Sequence, residues 1–195
     1  TLISSEIPIG ISYKAGVSAQ LKSAVMLAGL NANGVTNIIE KDKSRDHTEN
    51  MLMKSPKILE IKKNKKKQKL IKIYGKRYLN PLKINVGGDP STAAFFTALT
   101  LLVPNANLTI KHVGLNPRRI GFYNLLIKHG AKIKFKNLKK ENNEQRGDII
   151  IKSCKLKPIK ALSRFYPSTA DEFPILFILA GLTKGTSVFK GIGDL

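Results

Sequence analysis

One pattern of residues recurs along the chain and constrains its fold more than any other feature. A hydroxyl residue precedes a run of small and apolar residues at Ser18, Ser91 and Ser168, which stand 73 and then 77 positions apart. Each run predicts a helix, and a stretch typical of a strand follows each helix. Copies of a unit of about 75 residues are too long for a solenoid and predict a duplicated α/β domain.

The first of these helices is predicted within residues 17–30. Ser18 is a residue type that caps helices, and the free N–H groups and dipole of a helix start favour an anion. Helical spacing predicts that one face of this helix packs in the core, the face of Val17, Leu21, Ala24, Val25 and Ala28.

The remaining elements repeat in the same order. Residues 8–74 predict strand, helix, strand, helix, strand, strand, with Ser44 as the cap of the second helix. Chain breakers lie within residues 79–89, and the order restarts there, so we predict two domains, 1–84 and 85–195. A third unit is predicted from Ser168 and is cut off at Leu195, so we expect the chain to be a fragment.

Lysine dominates the charge of the chain. The net charge is +21, from 34 basic and 13 acidic residues. The densest clusters, at 62–69 and 132–140, lie between strand-like runs and are almost free of arginine and aromatic residues. This distribution favours solvated hairpin turns over a nucleic-acid surface. A basic nucleic-acid-binding module stays open as an alternative, and it predicts binding that weakens steeply with salt.

Cysteine and histidine usage limits the compartment and the metal chemistry. Cys154 is the single cysteine, so no disulfide framework is predicted and we expect a reducing, cytoplasmic compartment. The three histidines of the chain do not have the spacing of metal ligands, so we expect no metal site. No signal peptide is evident, and the apolar runs are too short to span a bilayer, so no membrane partner is expected.

Two charged stretches are candidates for chemistry. Asp171 is predicted in the first turn of the third helix, where an acid either matches the helix dipole or, near cations, serves as a base. Arg45 precedes the second helix and suits a bidentate clamp on phosphate; the alternative is a surface arginine paired with Asp46 or Glu49. For residues 116–119, in the equivalent place of the next unit, a structural role is favoured.

Five stretches taken together resemble the 5-enolpyruvylshikimate-3-phosphate synthase family. They are VSAQLKSA (17–24), SRDHTENML (44–52), GDPSTAAF (88–95), GLNPRR (114–119) and ADEFP (170–174). Their order and spacing match the family's motifs nearly end to end, in the bacterial variant with Ser-Ala-Gln and Arg-Asp-His-Thr. The resemblance implies an α/β fold of two domains built from repeated βαβαββ units, of which this chain holds a part truncated at both ends.

The resemblance also implies an activity. Family members transfer the enolpyruvyl group of phosphoenolpyruvate to the 5-hydroxyl of shikimate 3-phosphate, release phosphate, and need no metal or organic cofactor. On this basis Ser18 and Gln20 are expected to contact shikimate 3-phosphate, with Ala19 where other members have a second serine. Arg45 is expected on the phosphate side, and Asp171 is expected to hold and deprotonate the attacking hydroxyl. A monomer without nucleic-acid partners is expected of the complete enzyme.

Some family motifs have no counterpart in these 195 residues. The N-terminal lysine and serine motif, the glycine-rich loop for phosphoenolpyruvate, and the Lys-Glu and arginines after the third unit are absent, so we expect the chain alone to be inactive. A related alternative is the enolpyruvyl transferase that acts on UDP-N-acetylglucosamine. That enzyme is expected to carry a reactive loop cysteine, whereas Cys154 is predicted in a strand-like run.

Overall fold

The chain divides into two compact units. The computed structural model describes residues 6–63 and 68–193. Its first unit is Thr1–Ile84 and its second is Asn85–Leu195. Both units combine helices with a sheet that contains antiparallel strands, so the predicted α/β class is confirmed.

The first unit contains one complete βαβαββ repeat. Its elements are β1 (Ser12–Ala15), α1 (Ala19–Asn31), β2 (Val35–Glu40), α2 (His47–Leu52), β3 (Leu59–Lys63) and β4 (Lys69–Tyr74). The sheet order is β1-β2-β4-β3, in which β1 and β2 are parallel and β4 is antiparallel to both of its neighbours. The predicted order of elements is therefore confirmed here.

The second unit repeats the pattern and continues beyond it. Its elements are α3 (Pro90–Leu102), β5 (Asn107–Gly114), α4 (Gly121–Lys128), β6 (Lys132–Glu141), β7 (Glu144–Lys152), β8 (Lys160–Ala161), 3₁₀ turns at Ser163–Ser168 and Ala170–Glu172, α5 (Phe173–Gly181) and β9 (Val188–Phe189). The antiparallel sheet has the order β5-β7-β6, and β8 pairs with β9 in parallel. A parallel bridge from Gly88 to Val113 stands where the first unit has β1.

Each unit has its own apolar core. In the first unit α1 and α2 pack on the sheet around Met26, Leu52, Ile38, Ile71 and Ile73. The core of the second unit is larger and includes α5, around Phe122, Tyr123, Leu125, Ile149, Ile151, Phe173 and Leu176. Fully burying one such side chain contributes about 1.5–3 kcal/mol, so these contacts fix where the helix starts lie.

The predicted core face of α1 is wrong. Leu21 is 59% exposed, whereas the buried positions are Lys22, Met26 and Gly29, one helical face away. Glycine lets this face approach β2 closely, because a Cβ on Gly29 would lie 2.9 Å from the Thr36 side chain. A lysine can replace a leucine inside because its ammonium group meets two carboxylates there.

Two of the predicted helix starts are also wrong. Ser44 does not cap α2; it is buried, and its Oγ donates to Glu40 Oε1 at 2.8 Å. In the second unit the predicted start at Pro90 and Ser91 is confirmed: Asp89 caps α3, and Pro90 is the first helical residue. The third helix begins at Phe173 rather than at Ser168.

Among the described residues of the two clusters, the lysines lie in strands rather than in turns. The lysines from Lys132 to Lys140 lie within strand β6. The turn into β7 is formed by Asn142 and Asn143, and both residues have positive φ. Asparagine tolerates this conformation, which suits the primed two-residue turns of hairpins. In the other cluster residues 64–67 lie outside the described residues. Lys69 is not a solvated turn residue, because its Nζ donates to Glu49 Oε1 at 2.8 Å.

Candidate active site

The first turn of α1 carries three of the predicted site residues. Ser18 Oγ accepts a hydrogen bond from the Leu21 N–H at 3.3 Å, so the predicted cap is confirmed. Ser18 also donates to Gln20 Oε1 at 3.4 Å, and Ala19 is the first helical residue. The structure therefore groups Ser18, Ala19 and Gln20 at a helix start, which is an electrostatically positive position.

Arg45 lies in the loop between β2 and α2, beside the same helix. Its carbonyl oxygen accepts a hydrogen bond from Lys22 Nζ at 2.8 Å, and Lys22 lies one turn beyond Ser18. A second link joins α1 to α2, because the hydroxyl groups of Ser23 and Thr48 form a hydrogen bond of 2.7 Å between Oγ and Oγ1. All four predicted site residues of the first unit therefore belong to one local arrangement.

Lys22 is the centre of that arrangement. Its side chain is fully buried, and its Nζ lies 2.8 Å from both Glu40 Oε1 and Glu49 Oε1. Lys69 brings a second ammonium to the same pair of glutamates. Burial raises the pKa of the Glu40 carboxyl, but hydrogen bonds from Lys22 and Ser44 outweigh it, so this pKa lies below its usual value.

The start of α3 forms the corresponding site in the second unit. Asp89 accepts hydrogen bonds from the backbone N–H groups of Ser91 at 3.2 Å and Thr92 at 3.0 Å. Burial raises the pKa of Asp89, but the hydrogen bonds from Thr92 and Ser91 and the charge of Arg119 outweigh this effect. The pKa of Asp89 therefore lies below its usual value. The buried Tyr123 hydroxyl donates to the Pro90 carbonyl at 2.6 Å, and burial raises its pKa.

Arg119 connects this helix start to Asp171. Its Nη2 donates to Asp89 Oδ1 at 2.8 Å and to Ser91 Oγ at 3.0 Å, and its Nη1 donates to Asp171 Oδ2 at 2.9 Å. The Ser91 hydroxyl donates to the buried Glu172. An arginine for which the sequence favoured a structural role thus holds the carboxylate predicted to be catalytic.

Asp171 was predicted in the first turn of the third helix, but it lies in the 3₁₀ turn that precedes α5. Its side chain is 48% exposed, whereas that of Glu172 beside it is buried. A carboxylate that is held on one oxygen by an arginine and open to solvent can accept a proton from a hydroxyl. Asp171 belongs to the second unit, and the other four predicted residues belong to the first.

Sequence reasoning missed Lys22, Asp89 and Arg119. Asp89 had a readable signal, because aspartate directly before proline is typical of a helix cap followed by the first helical residue. Lys22 shares helical spacing with Met26 and Gly29, but a lysine on such a face normally indicates the solvent side. The partner of Arg119 is 52 residues distant and had no local signal.

The remaining candidates for reactive chemistry are few. Cys154 follows the end of β7 rather than lying in a strand, and its Sγ accepts a hydrogen bond from the Lys132 N–H at 3.4 Å. Within residues 6–63 and 68–193, no three His, Cys, Asp or Glu side chains group closely enough to hold a metal ion. Across the same described ranges, every helix is too short or too polar to cross a membrane.

Comparison with solved structures places the fold among the enolpyruvyl transferases. EPSP synthase from Acinetobacter baumannii matches with a TM-score of 0.81 and 36% identity, over 96% of this chain and 41% of that one. The enolpyruvyl transferase NikO from Streptomyces tendae matches with a TM-score of 0.61, over 93% of this chain and 44% of that one. At 14% identity the second match is a likeness of fold alone.

Sequence comparison identifies the family. The profile of EPSP synthase (3-phosphoshikimate 1-carboxyvinyltransferase) matches residues 8–195, and the chain belongs to this family. Relatives named 3-phosphoshikimate 1-carboxyvinyltransferase include those of Zymomonas mobilis, 42% identical over 188 residues, and Bacillus subtilis, 42% identical over 187 residues. These alignments cover 96% and 95% of this chain but only 41% and 42% of the relatives. The resemblance found in the five motifs is confirmed.

Proposed function

We propose that the protein carrying this chain transfers the enolpyruvyl group of phosphoenolpyruvate to the 5-hydroxyl of shikimate 3-phosphate. The observation that carries the proposal is the family match over residues 8–195. The chain spans about two-fifths of the length of the curated relatives it matches, so the activity is proposed for the protein that contains it.

The proposed reaction is an addition followed by an elimination. In the addition, the 5-hydroxyl loses its proton to a base, its oxygen bonds to C2 of phosphoenolpyruvate, and C3 gains a proton. In the elimination, the bond from C2 to the phosphate oxygen breaks, C3 gives up a proton, and inorganic phosphate leaves. Asp171 is the proposed base, and its ion pair with Arg119 supports this role because the guanidinium favours the ionised carboxylate.

The acceptor is proposed to bind at the start of α1. Ser18 and Gln20 carry polar side chains there, and Ala19 between them is the first helical residue. The arginine of the neighbouring loop, Arg45, is proposed to bind the phosphate of shikimate 3-phosphate as a charged, bidentate donor. Two anionic substrates call for this combination of helix N-terminus and arginine.

The wider setting is proposed on the same basis. Residues 1–84 are proposed as part of the domain that binds shikimate 3-phosphate, and residues 85–195 as the start of a second domain. The partners are small-molecule substrates, and we propose a cytoplasmic monomer that binds neither nucleic acid nor membranes. Size-exclusion chromatography with light scattering checks the monomer, and a duplex titration at two salt concentrations checks the absence of nucleic-acid binding.

The proposed activity is tested on the full gene product that carries this chain. Phosphate release is measured with phosphoenolpyruvate and shikimate 3-phosphate, and in parallel with UDP-N-acetylglucosamine as the acceptor. We expect release with shikimate 3-phosphate alone. Release only with UDP-N-acetylglucosamine would assign the protein the activity of the related enolpyruvyl transferase. No release with either acceptor would contradict the proposal.

A further inference from the structure

We propose that Lys22 is a positioning residue, which holds the backbone at Arg45 so that this arginine can bind the acceptor's phosphate. The inference rests on the role proposed for Arg45 above. Lys22 lies one turn beyond Ser18, so one helix carries both the proposed acceptor contacts and the amine that bonds to the Arg45 carbonyl.

The hydrogen bonds of Lys22 fix its ammonium group completely. An ammonium has three N–H donors, and the structure supplies three acceptors at 2.8 Å: Glu40 Oε1, Glu49 Oε1 and the Arg45 carbonyl. The two carboxylates alone would neutralise the buried charge. The third acceptor is an uncharged backbone oxygen, and it is the one that ties the loop to the helix.

The loop is anchored on both sides of Arg45 as well. On one side, the Ser44 N–H and hydroxyl donate to Glu40 at 3.1 and 2.8 Å. On the other side, Thr48 in α2 contacts Ser23 of α1 at 2.7 Å. Lys22 closes the segment in the middle, so the arginine side chain starts from a fixed backbone. An arginine held in this way loses less conformational entropy when it binds an anion.

The repeat itself does not need a lysine at this position. The caps Ser18 and Asp89 are 71 residues apart, and at that spacing Lys22 corresponds to Ala93, which is buried in the second unit without any charge. A buried ion pair adds little stability compared with apolar packing of the same volume. The lysine is therefore explained by what it holds rather than by the packing of the helix.

The test compares two charge-matched double variants of the full gene product. Lys22→Met/Glu49→Gln removes one lysine and one carboxylate, and with them the bond to the Arg45 carbonyl. Lys69→Met/Glu49→Gln removes the same two charges from the same cluster but leaves that bond in place. Calorimetry measures the Kd of shikimate 3-phosphate, kinetics measure the KM of phosphoenolpyruvate, and thermal melting verifies that both proteins are folded.

We expect the Lys22 variant to bind shikimate 3-phosphate at least roughly tenfold more weakly, because small displacements of a binding group have effects of this size. The control should stay within about threefold, and the KM of phosphoenolpyruvate should change little in either variant. In an Arg45→Ala background, the Lys22 substitutions should have almost no further effect on the Kd, since coupled residues are not additive.

Equal losses in the two double variants, or an undiminished loss in the Arg45→Ala background, would overturn the positioning role. If the Lys22→Met protein does not fold, Lys22→Gln/Glu49→Gln takes its place with the same expectation. A parent protein that fails to bind shikimate 3-phosphate would instead refute the proposed function, and the inference with it. That outcome is separate, because it appears before any substitution is made.

Discussion

The first helices of the two units, α1 and α3, differ at one buried position, where α1 has a lysine and α3 has an alanine. The helices correspond at the spacing of their caps, Ser18 and Asp89, which is 71 residues and not the 73 residues that separate the repeated serines. At this spacing the buried faces coincide: Lys22 with Ala93, Met26 with Thr97, and Gly29 with Thr100. Ser18 and Ser91, two of the serines that reveal the repeat in the sequence, are therefore not structurally equivalent.

This difference at the buried position accompanies a difference between two arginines, Arg45 in the first unit and Arg119 in the second. In the first unit the buried cation comes from the helix, and Lys22 holds Arg45 by its backbone. In the second unit the helix buries an alanine, and the cation comes from the loop before α4. There the guanidinium of Arg119 is itself bonded to Asp89, Ser91 and Asp171. We infer that the first arginine serves binding and the second serves positioning.

The largest expected effect is at the carboxylate that Arg119 holds. Asp171→Asn in the full gene product keeps the shape of the side chain and removes its basicity. A general base contributes about 10²–10⁴-fold, so turnover should fall by at least roughly 10²-fold while thermal melting stays close to that of the parent. Steady-state kinetics with both substrates measure the loss.

The matched control for this change is Glu172→Gln, in the next residue. The Glu172 side chain is buried against Ser91, so its replacement should affect stability more than turnover. Near-normal turnover in Asp171→Asn together with an inactive Glu172→Gln would show that the wrong carboxylate has been assigned.

The second expected effect concerns the binding arginine. Arg45→Ala should weaken shikimate 3-phosphate binding by about 1.5–3 kcal/mol, the range for hydrogen bonds to charged groups. Arg45→Lys should restore only part of the affinity, because lysine cannot form the bidentate fork. Calorimetry measures both variants, and an unchanged affinity in Arg45→Ala would remove the distinction between the two arginines.

A smaller effect is expected at the positioning arginine. Arg119→Met should lower kcat by roughly tenfold with a lesser change in the KM of shikimate 3-phosphate, because a base out of place costs rate. The reason is geometric, because the guanidinium holds Asp171 Oδ2 at 2.9 Å, and steady-state kinetics separate the change in kcat from the change in KM. Arg118→Met is the matched control and should keep kcat near that of the parent; equal losses of kcat in both variants would contradict the assignment.

The smallest expected effect is the acid sensitivity of the first unit. The pKa of Glu40 is lowered in the folded state, so its stabilising contribution is complete above the ordinary value of 4.5. As the pH falls from there through the lower, folded-state pKa, this contribution is lost. Urea unfolding at pH 7 and pH 4 should therefore show a drop in stability that is smaller in Glu40→Gln. An equal drop in that variant would exclude Glu40 as the source.

Much of the fold followed from local patterns. The repeated unit, the order of the strands and helices, the Ser18 cap and the two hairpins were all predicted from periodicity and from residue types. Each of these depends on residues close together in the chain, which is why a sequence reveals them. Five ordered motifs were also enough to name the family.

The sequence by itself determined the repeat, the family and the stretches that carry the candidate site, since these reside in residue types and their spacing. Only the tertiary structure decided which face of α1 is buried and which cation holds which group. Lys22 finds its carboxylates 18 and 27 residues away, and Arg119 finds Asp171 at a separation of 52. A charge enters a core only where distant partners compensate its desolvation, and no local pattern shows whether they will meet.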